Sequence, residues 1–164
     1  ALPYPKNMNF LDLNVLDKFI EDINIAGSIF SKANKILCYH NHALEFQKIN
    51  NEIILERIYK KTDNICIQGE PDVYWIQKGG HDPISWCKKL KNRLPLIHLK
   101  DFIMLNEHES YYAEIGNGNL DIKNIIKEAE LSGCKWYIVE QDECQGDPFT
   151  SIETSFNNLL KFVT

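Results

Sequence analysis

The sequence lacks the features that mark several classes of protein. Its 164 residues contain no apolar run approaching the roughly 20 residues that cross a bilayer, and the N-terminus lacks the basic segment and apolar run of a secretory signal. No Lys/Arg run is interleaved with aromatic residues, and the net charge is -5, so the charge pattern of a nucleic-acid-binding protein is missing. We therefore expect neither nucleic acid nor a membrane as a partner, and we predict a cytoplasmic protein.

A disulfide framework and internal boundaries are missing as well. The five cysteines are odd in number and scattered, mostly within apolar runs, which favours buried thiols in a reducing compartment. No Pro/Gly/Ser-rich linker, low-complexity tract or sequence repeat divides the chain. The composition, 44% hydrophobic and 25% charged, is that of one globular domain with a sizeable core, so a single domain over residues 1–164 is predicted. A small-molecule ligand is favoured.

The spacing of apolar residues predicts helices and strands in alternation. Spacings of three and four predict helices at residues 13–34, 53–61, 84–91, 122–131 and 150–162. Short apolar runs predict strands at residues 36–39, 64–67, 94–99 and 135–140, with a loop at 111–120. This alternation indicates an α/β fold of parallel strands, either an open doubly wound sheet or part of a (β/α)8 barrel.

Polar residues collect at the C-terminal ends of the predicted strands, where parallel α/β folds place their sites. Asp72, His98 and Glu140 stand at such ends of neighbouring strands. Each alone also fits a helix cap, a core histidine or a solvated strand end, but three at equivalent positions favour a shared site. Carboxylates with an imidazole fit Mn²⁺, Mg²⁺, Co²⁺ or Zn²⁺, and the lack of clustered thiolates argues against structural zinc. We predict a divalent-metal site with Mn²⁺ as the preferred ion.

Four longer motifs occur in a fixed order along the chain. They are Tyr39-His40-Asn41-His42-Ala43-Leu44-Glu45-Phe46, Asp72-Val73-Tyr74-Trp75, His98-Leu99-Lys100-Asp101 and Glu140-Gln141-Asp142. With residues 80–83 and 114–119, they resemble the xylose isomerase-like superfamily of sugar phosphate isomerases and epimerases, which includes the AP endonuclease family 2-like proteins. The resemblance covers nearly the whole chain. It implies parallel (β/α) units forming the C-terminal half of a TIM barrel, strands 5 to 8, so that residues 1–164 are one partial TIM-barrel domain.

The resemblance also implies roles for single residues. It assigns metal binding to Asp72, His98 and Glu140. Many relatives have a Glu at the end of strand five, where this chain has His40. We expect His42 or Glu45 to face the site, and His40 is the alternative that we include among the metal ligands.

The implied activity is isomerisation or epimerisation of a sugar or sugar phosphate through a cis-enediolate. Glu140 and Glu45 are the expected acid/base pair. His42, Trp75 and Lys100 are the expected substrate-binding residues. Lys100 shares a strand face with His98, where it steadies an oxyanion or a phosphate unless it is a surface lysine. Trp75 stands where several epimerases carry a substrate-binding His, so a different pocket is expected.

Two segments have competing interpretations. Residues 116–119, Gly-Asn-Gly-Asn, fit either a phosphate-binding loop or a turn that tolerates positive φ, and the turn is favoured. Trp136 fits either a sugar-stacking residue or a core residue, and the core is favoured.

A complete TIM barrel has about 250 residues, and this chain supplies four βα units and one preceding helix. We therefore expect either association of two copies or completion by an N-terminal half barrel, with metal binding retained even if this fragment does not turn over. A second hypothesis is a non-catalytic domain that keeps the fold. A third, a phosphodiesterase of the endonuclease IV type, is disfavoured because the chain is acidic and has few suitable histidines.

Overall fold

The structure is a computed structural model that describes residues 1–162. The helices of this range are α1 (Leu13–Lys32), α2 (Ile54–Lys61), α3 (Val73–Lys78), α4 (Pro83–Lys89), α5 (Ile122–Leu131) and α6 (Pro148–Leu159). Its strands are β1 (Leu37–His40), β2 (Lys48–Ile49), β3 (Glu52–Ile53), β4 (Ile67–Glu70), β5 (Leu96–Leu99), β6 (Asp101–Met104), β7 (Ser110–Ala113) and β8 (Trp136–Val139). Within these residues, no helix combines the length and apolar character that crossing a membrane requires.

Four strands lie side by side and parallel, in the order β1, β4, β5, β8. Strand β1 pairs with β4, and β5 pairs with β8. A bridge between Asp72 and His98 joins β4 to β5, and His98 N donates to Pro71 O at 3.0 Å. Helices connect the successive strands, so the predicted α/β fold with parallel strands is confirmed.

Aspartates set the start of five helices. Their side chains accept hydrogen bonds from first-turn N–H groups, which would otherwise lack a partner within the helix. The capping residues are Asp12, Asp72, Asp82, Asp121 and Asp147. In α4 and α6 a proline follows the cap, a position where its missing N–H costs nothing.

The core lies between the strands and the helices. Side chains alternate along β5, so Ile97 and Leu99 are buried in this core while His98 lies on the opposite face. Helix α1 contributes Leu16 and Ile20 to the same core. All five cysteines are free thiols, as predicted, and Cys38 and Cys87 are buried.

Three local predictions are wrong. The strand predicted at 64–67 lies three residues later, because Asp63 organises a turn: its side chain accepts from Ile65 N at 2.7 Å, and Ile65 is 72% exposed. Helix α3 was not predicted, since six residues are too few to show a helical period. The predicted loop at 111–120 begins inside an antiparallel hairpin, β6–β7.

Trp136 does not pack in the core of this chain. It is 68% exposed on β8, where it lies opposite Leu96 of β5 and on the same face as Ile138. A second apolar stripe on α6 is also exposed and consists of Phe149, Ile152, Phe156 and Leu160. No residue within 1–162 covers either surface.

Candidate metal centre and active site

A cluster of imidazoles and carboxylates lies at the C-terminal ends of the four parallel strands. His40 ends β1, Glu70 ends β4, His98 lies in β5, and Asp72 and Glu140 follow β4 and β8. One ligand atom each from His40, Glu70 and His98 lie within 4.8 Å of one another, and so do those of Asp72, His98 and Glu140. The structure thus brings together the four predicted metal ligands and adds Glu70.

Asp72 has two roles in this cluster. Its Oδ1 accepts from Tyr74 N at 2.9 Å and Trp75 N at 3.1 Å, which caps α3. Its Oδ2 is buried without a hydrogen-bond partner and lies 3.7 Å from His98 Nδ1. Asn41, also buried, accepts from Asp72 N at 3.2 Å and fixes the backbone there. The helix-cap interpretation of Asp72 is therefore confirmed, and its second carboxylate oxygen faces the cluster.

Three buried polar atoms of the cluster have no hydrogen-bond partner within residues 1–162. They are His40 Nδ1, Asp72 Oδ2 and His98 Nδ1, the last lying 3.2 Å from Glu140 Oε2. A buried polar atom without a partner destabilises the fold by about 1–3 kcal/mol, so several around one point need an explanation. A cation bound between Asp72, His98 and Glu140 would satisfy Asp72 Oδ2 and His98 Nδ1, whereas His40 Nδ1 belongs to the neighbouring group and lies 3.6 Å from Glu70 Oε2. The mixed nitrogen and oxygen donors fit a divalent ion such as Mn²⁺, Mg²⁺, Co²⁺ or Zn²⁺.

The pKa values of the two histidines shift in opposite directions. Burial lowers the pKa of His98, but Asp72, Glu70 and Glu140 outweigh burial, so the net pKa is raised. Burial, reinforced by His98 and His42, lowers the pKa of His40 to about 3. His40 is therefore neutral at physiological pH and keeps a lone pair, as a metal ligand must.

Lys100 is a buried partner of the carboxylates, and the surface-lysine interpretation is wrong. It is 2% exposed, and its Nζ lies 2.9 Å from Glu140 Oε2 and 3.2 Å from each oxygen of Asp142. The same Nζ lies 5.5 Å from the ring centre of Trp75 and 5.7 Å from that of Tyr112. Burial lowers the pKa of Lys100, but these carboxylates and Asp72 outweigh it and raise the pKa.

The predicted substrate-binding residues form one edge of the cluster. The His42 ring centre lies 4.9 Å from that of His40 and 5.4 Å from that of Trp75. Trp75 is half-buried and lies between His42 and Lys100. The aromatic face and the cation stand beside the candidate metal ligands.

Glu45 does not join the cluster. It is fully buried, its Oε1 accepts from Tyr39 OH at 2.9 Å, and its Oε2 accepts from His42 N at 3.1 Å. Both oxygens are therefore engaged in holding the His40–His42 segment, and Glu45 makes no ion pair among the residues described. Its position makes it a positioning residue rather than the acid/base partner of Glu140. Burial raises the pKa of Glu45 to about 7.

We expect Glu45 to make the metal-free chain less stable as the pH rises. Its folded-state pKa of about 7 exceeds the unfolded value of 4.5, so the neutral form favours the folded state. This stabilisation is complete below pH 4.5 and is lost as the pH rises through about 7. The loss amounts to about 3 kcal/mol. Urea unfolding at several pH values will show a flatter profile in this window for Glu45→Gln than for wild type. The exposed control Glu153→Gln will keep the wild-type slope, and equal slopes in all three proteins would contradict the assignment.

The glycine-rich segment at 116–119 is a turn organised by Asp101. The N–H groups of Gly116, Gly118 and Leu120 donate to the Asp101 carboxylate at 3.1, 3.0 and 3.1 Å. Gly116 has a φ of +84°, which favours glycine. A side chain at Gly118 would collide with Asp101. These N–H groups already have an anionic partner, so the turn interpretation is the correct one.

Sequence reasoning missed Glu70 and Asp142. Each stands two residues from a predicted ligand, Glu70 before Asp72 and Asp142 after Glu140. Residues two apart on a strand share a face, the rule that placed Lys100 beside His98. The same rule, applied to every ligand, would have found both carboxylates.

Comparison with known proteins supports the predicted fold. No family model matches the chain. A crystal structure of a sugar phosphate isomerase/epimerase from Parabacteroides distasonis ATCC 8503 is 30% identical, with a TM-score of 0.78 over 97% of this chain and 55% of that one. The predicted resemblance to sugar phosphate isomerases and epimerases with a TIM-barrel fold is confirmed.

Two further proteins are similar to the chain. The inosose dehydratase of Clostridium tetani (strain Massachusetts / E88) is 26% identical over 145 residues, covering 77% of this chain and 47% of the relative. A second sugar phosphate isomerase/epimerase structure from P. distasonis ATCC 8503 is 22% identical, with a TM-score of 0.78 over 99% of this chain and 59% of that one. The chain therefore spans about half the length of these superfamily members, and its fold is a partial barrel.

Proposed function

We propose that the chain carries the active site of a divalent-metal-dependent isomerase or epimerase that acts on a sugar or sugar phosphate. The observation that carries the proposal is the set of buried, unpartnered atoms, His40 Nδ1, Asp72 Oδ2 and His98 Nδ1, beside Glu140 and Lys100. The names of the relatives, an isomerase/epimerase and a dehydratase, support chemistry on sugar-like compounds. Proton removal next to a carbonyl, giving a cis-enediolate, is one step that suits these reactions.

The residues have distinct parts in this proposal. Asp72, His98 and Glu140 converge and would hold the ion, with Mn²⁺ first and Mg²⁺, Co²⁺ or Zn²⁺ as alternatives. His40 is the predicted fourth ligand, and its own ligand atom converges with those of Glu70 and His98. When bound, the ion supplies Lewis-acid polarisation of the substrate carbonyl. Glu140 has the most exposed carboxylate of the cluster, with 41% of its side chain accessible against 6% for Glu70 and 0% for Asp72.

Proton transfer therefore falls to Glu140. Glu45 is sealed by Tyr39 and His42, so a single carboxylate removes the proton and returns it on the same face, to the neighbouring carbon, which is isomerisation. Epimerisation would need a second acid on the opposite face of the substrate, a role that Glu45 does not fill. The Lys100 ammonium, 2.9 Å from Glu140 Oε2, is placed to stabilise the negative charge that develops on the substrate oxygen.

The test is proton exchange with solvent. The chain, loaded with Mn²⁺, is incubated in D₂O with an aldose, a ketose and an inosose, and NMR measures deuterium on the carbon next to the carbonyl. Deuterium in the Mn²⁺ sample and none in the chelator-treated sample supports the proposal. Bound Mn²⁺ without exchange on any substrate would favour the alternative that the domain keeps the fold and the metal site but does not catalyse.

We further propose that the exposed apolar surfaces are association surfaces, covered by a second copy or by an N-terminal half barrel. The face of β8 with Trp136 and Ile138 and the α6 stripe with Phe149, Ile152 and Phe156 are more extensive than single exposed side chains. The native mass of the purified chain tests this proposal. The mass of a dimer would indicate a second copy, and the mass of a monomer would favour an N-terminal half barrel as the partner. Phe156→Glu is expected to shift a dimer to monomer.

A further inference from the structure

Barrels usually bind a substrate phosphate through the loops after strands seven and eight and a nearby helix N-terminus. In this chain these are the segments after β5 and β8. After β5, the Asp101 carboxylate already accepts from Gly116, Gly118 and Leu120. After β8, the Asp147 side chain accepts from Thr150 N at 2.8 Å and from Thr150 Oγ1 at 2.9 Å, which caps α6. In both segments, carboxylates of the chain already occupy N–H groups that a phosphate would use.

The Lys100 ammonium at the site is likewise already paired with carboxylates of the chain. Lys100 Nζ lies 2.9 Å from Glu140 Oε2, 3.2 Å from Asp142 Oδ1 and 3.8 Å from Asp72 Oδ2. Lys78, on the far end of α3, is exposed, donates to Tyr74 OH at 2.9 Å and lies over the Tyr74 and Trp75 rings. Lys100 cannot meet a phosphate without giving up a carboxylate partner, whereas Lys78 keeps free N–H donors but makes no ion pair with the carboxylate cluster among the residues described.

The balance of charge also opposes an anion. Carboxylates of Glu70, Asp72, Glu140 and Asp142 surround the single ammonium of Lys100. A divalent cation bound among the ligands would leave no excess of positive charge. A phosphate ester carries up to two negative charges near neutral pH, so it would enter a region that does not compensate them.

We propose that the site takes an uncharged sugar or polyol ketone and discriminates against phosphate esters. The ring of the sugar would pack against Trp75 and Tyr112, the two aromatic rings that flank Lys100 Nζ. Asp142 determines this preference, because it holds Lys100 through both carboxylate oxygens and adds a negative charge beside it. The inference rests on the proposed function, since it names the substrate class of the same site.

The test measures binding without turnover. NMR titrations of the metal-free chain with D-fructose, D-fructose 6-phosphate and inorganic phosphate follow the indole signal of Trp75, in wild type, Asp142→Asn and Glu143→Gln. Glu143 is the matched control, since it is an exposed neighbouring carboxylate that makes no ion pair with Lys100. In wild type, fructose 6-phosphate is expected to bind no more tightly than fructose. Asp142→Asn is expected to raise the affinity for the phosphate ester relative to fructose by about fivefold, the effect of one unit charge at about 4 Å in water.

Two results would overturn the inference. One is tighter binding of fructose 6-phosphate than of fructose by wild type, and the other is an Asp142→Asn variant whose ratio of affinities equals that of Glu143→Gln. Failure of the proposed function gives a different result. In that case deuterium exchange is absent with every sugar, while the ratio of the two affinities still reports the charge preference.

Discussion

Replacing His98 with alanine will lower the affinity of the chain for Mn²⁺ by more than about 100-fold, because loss of a residue that only supports a ligand already costs about 10- to 100-fold. His98 belongs to both groups of converging ligand atoms. Its Nδ1 lies 3.2 Å from Glu140 Oε2 and 3.7 Å from Asp72 Oδ2, and its Nε2 lies 4.0 Å from Glu70 Oε1. Removal of the imidazole therefore takes a donor from the centre of the cluster.

The measurement is a Mn²⁺ titration, followed by electron paramagnetic resonance and by elemental analysis of the purified proteins. His108→Ala is the matched control, because His108 is exposed and outside the cluster. Circular dichroism verifies that each variant folds. Equal Mn²⁺ affinity in wild type and His98→Ala would show that the cluster is a buried ionic network rather than a metal centre, and the proposed function would fail with it.

Replacing Asp101 with alanine will lower the free energy of unfolding by at least about 3 kcal/mol, a large part of the 5–15 kcal/mol that typical domains possess. Asp101 is fully buried, and its carboxylate accepts from the N–H groups of Phe102, Gly116, Gly118 and Leu120. Alanine leaves these donors without their acceptor at the centre of the turn. The loss of stability is the cost of leaving several N–H donors without an acceptor, and it is smaller for any donor that water can reach.

Urea unfolding at neutral pH measures this loss. Asp22→Ala is the control for removal of a carboxylate: Asp22 is exposed and pairs only with Lys18, at 2.6 Å, and such surface pairs contribute about 0–1 kcal/mol. If Asp101→Ala lowers the free energy of unfolding no more than Asp22→Ala does, the turn is stable without the Asp101 carboxylate. In that case the N–H groups of residues 116–120 would again be candidates for an anion.

The sequence determined the order of helices and strands. Periodicity predicted helix 122–131 with the bounds that the structure gives to α5, and it placed α1 and α2 within a few residues. The pattern is readable because a helix with one buried face must repeat its apolar residues at its own period. Where the element is short, as in α3, or where an apolar residue such as Ile65 stays exposed, that signal fails.

The sequence also determined where the site lies. Parallel strands share one carboxyl edge, so residues far apart in sequence, His40, His98 and Glu140, meet because each stands at the end of a strand. Strand direction follows from the alternation of helices and strands, and the order of the strands was implied by the family resemblance. The detailed geometry is not needed.

Only the tertiary structure decided what each polar residue does there. Glu45 and Glu140 are both glutamates in the motifs, but their surroundings differ. Glu45 is buried and accepts hydrogen bonds from Tyr39 and His42. Glu140 is partly exposed and pairs with Lys100. Asp101 and Asp142 differ in the same way, one buried under backbone N–H groups and the other bound to a lysine 42 residues away. The physical reason is that the charge, exposure and hydrogen bonding of a side chain depend on neighbours from other segments. Those neighbours are assigned when the chain folds, whereas the position of a residue along its own strand is fixed by the sequence.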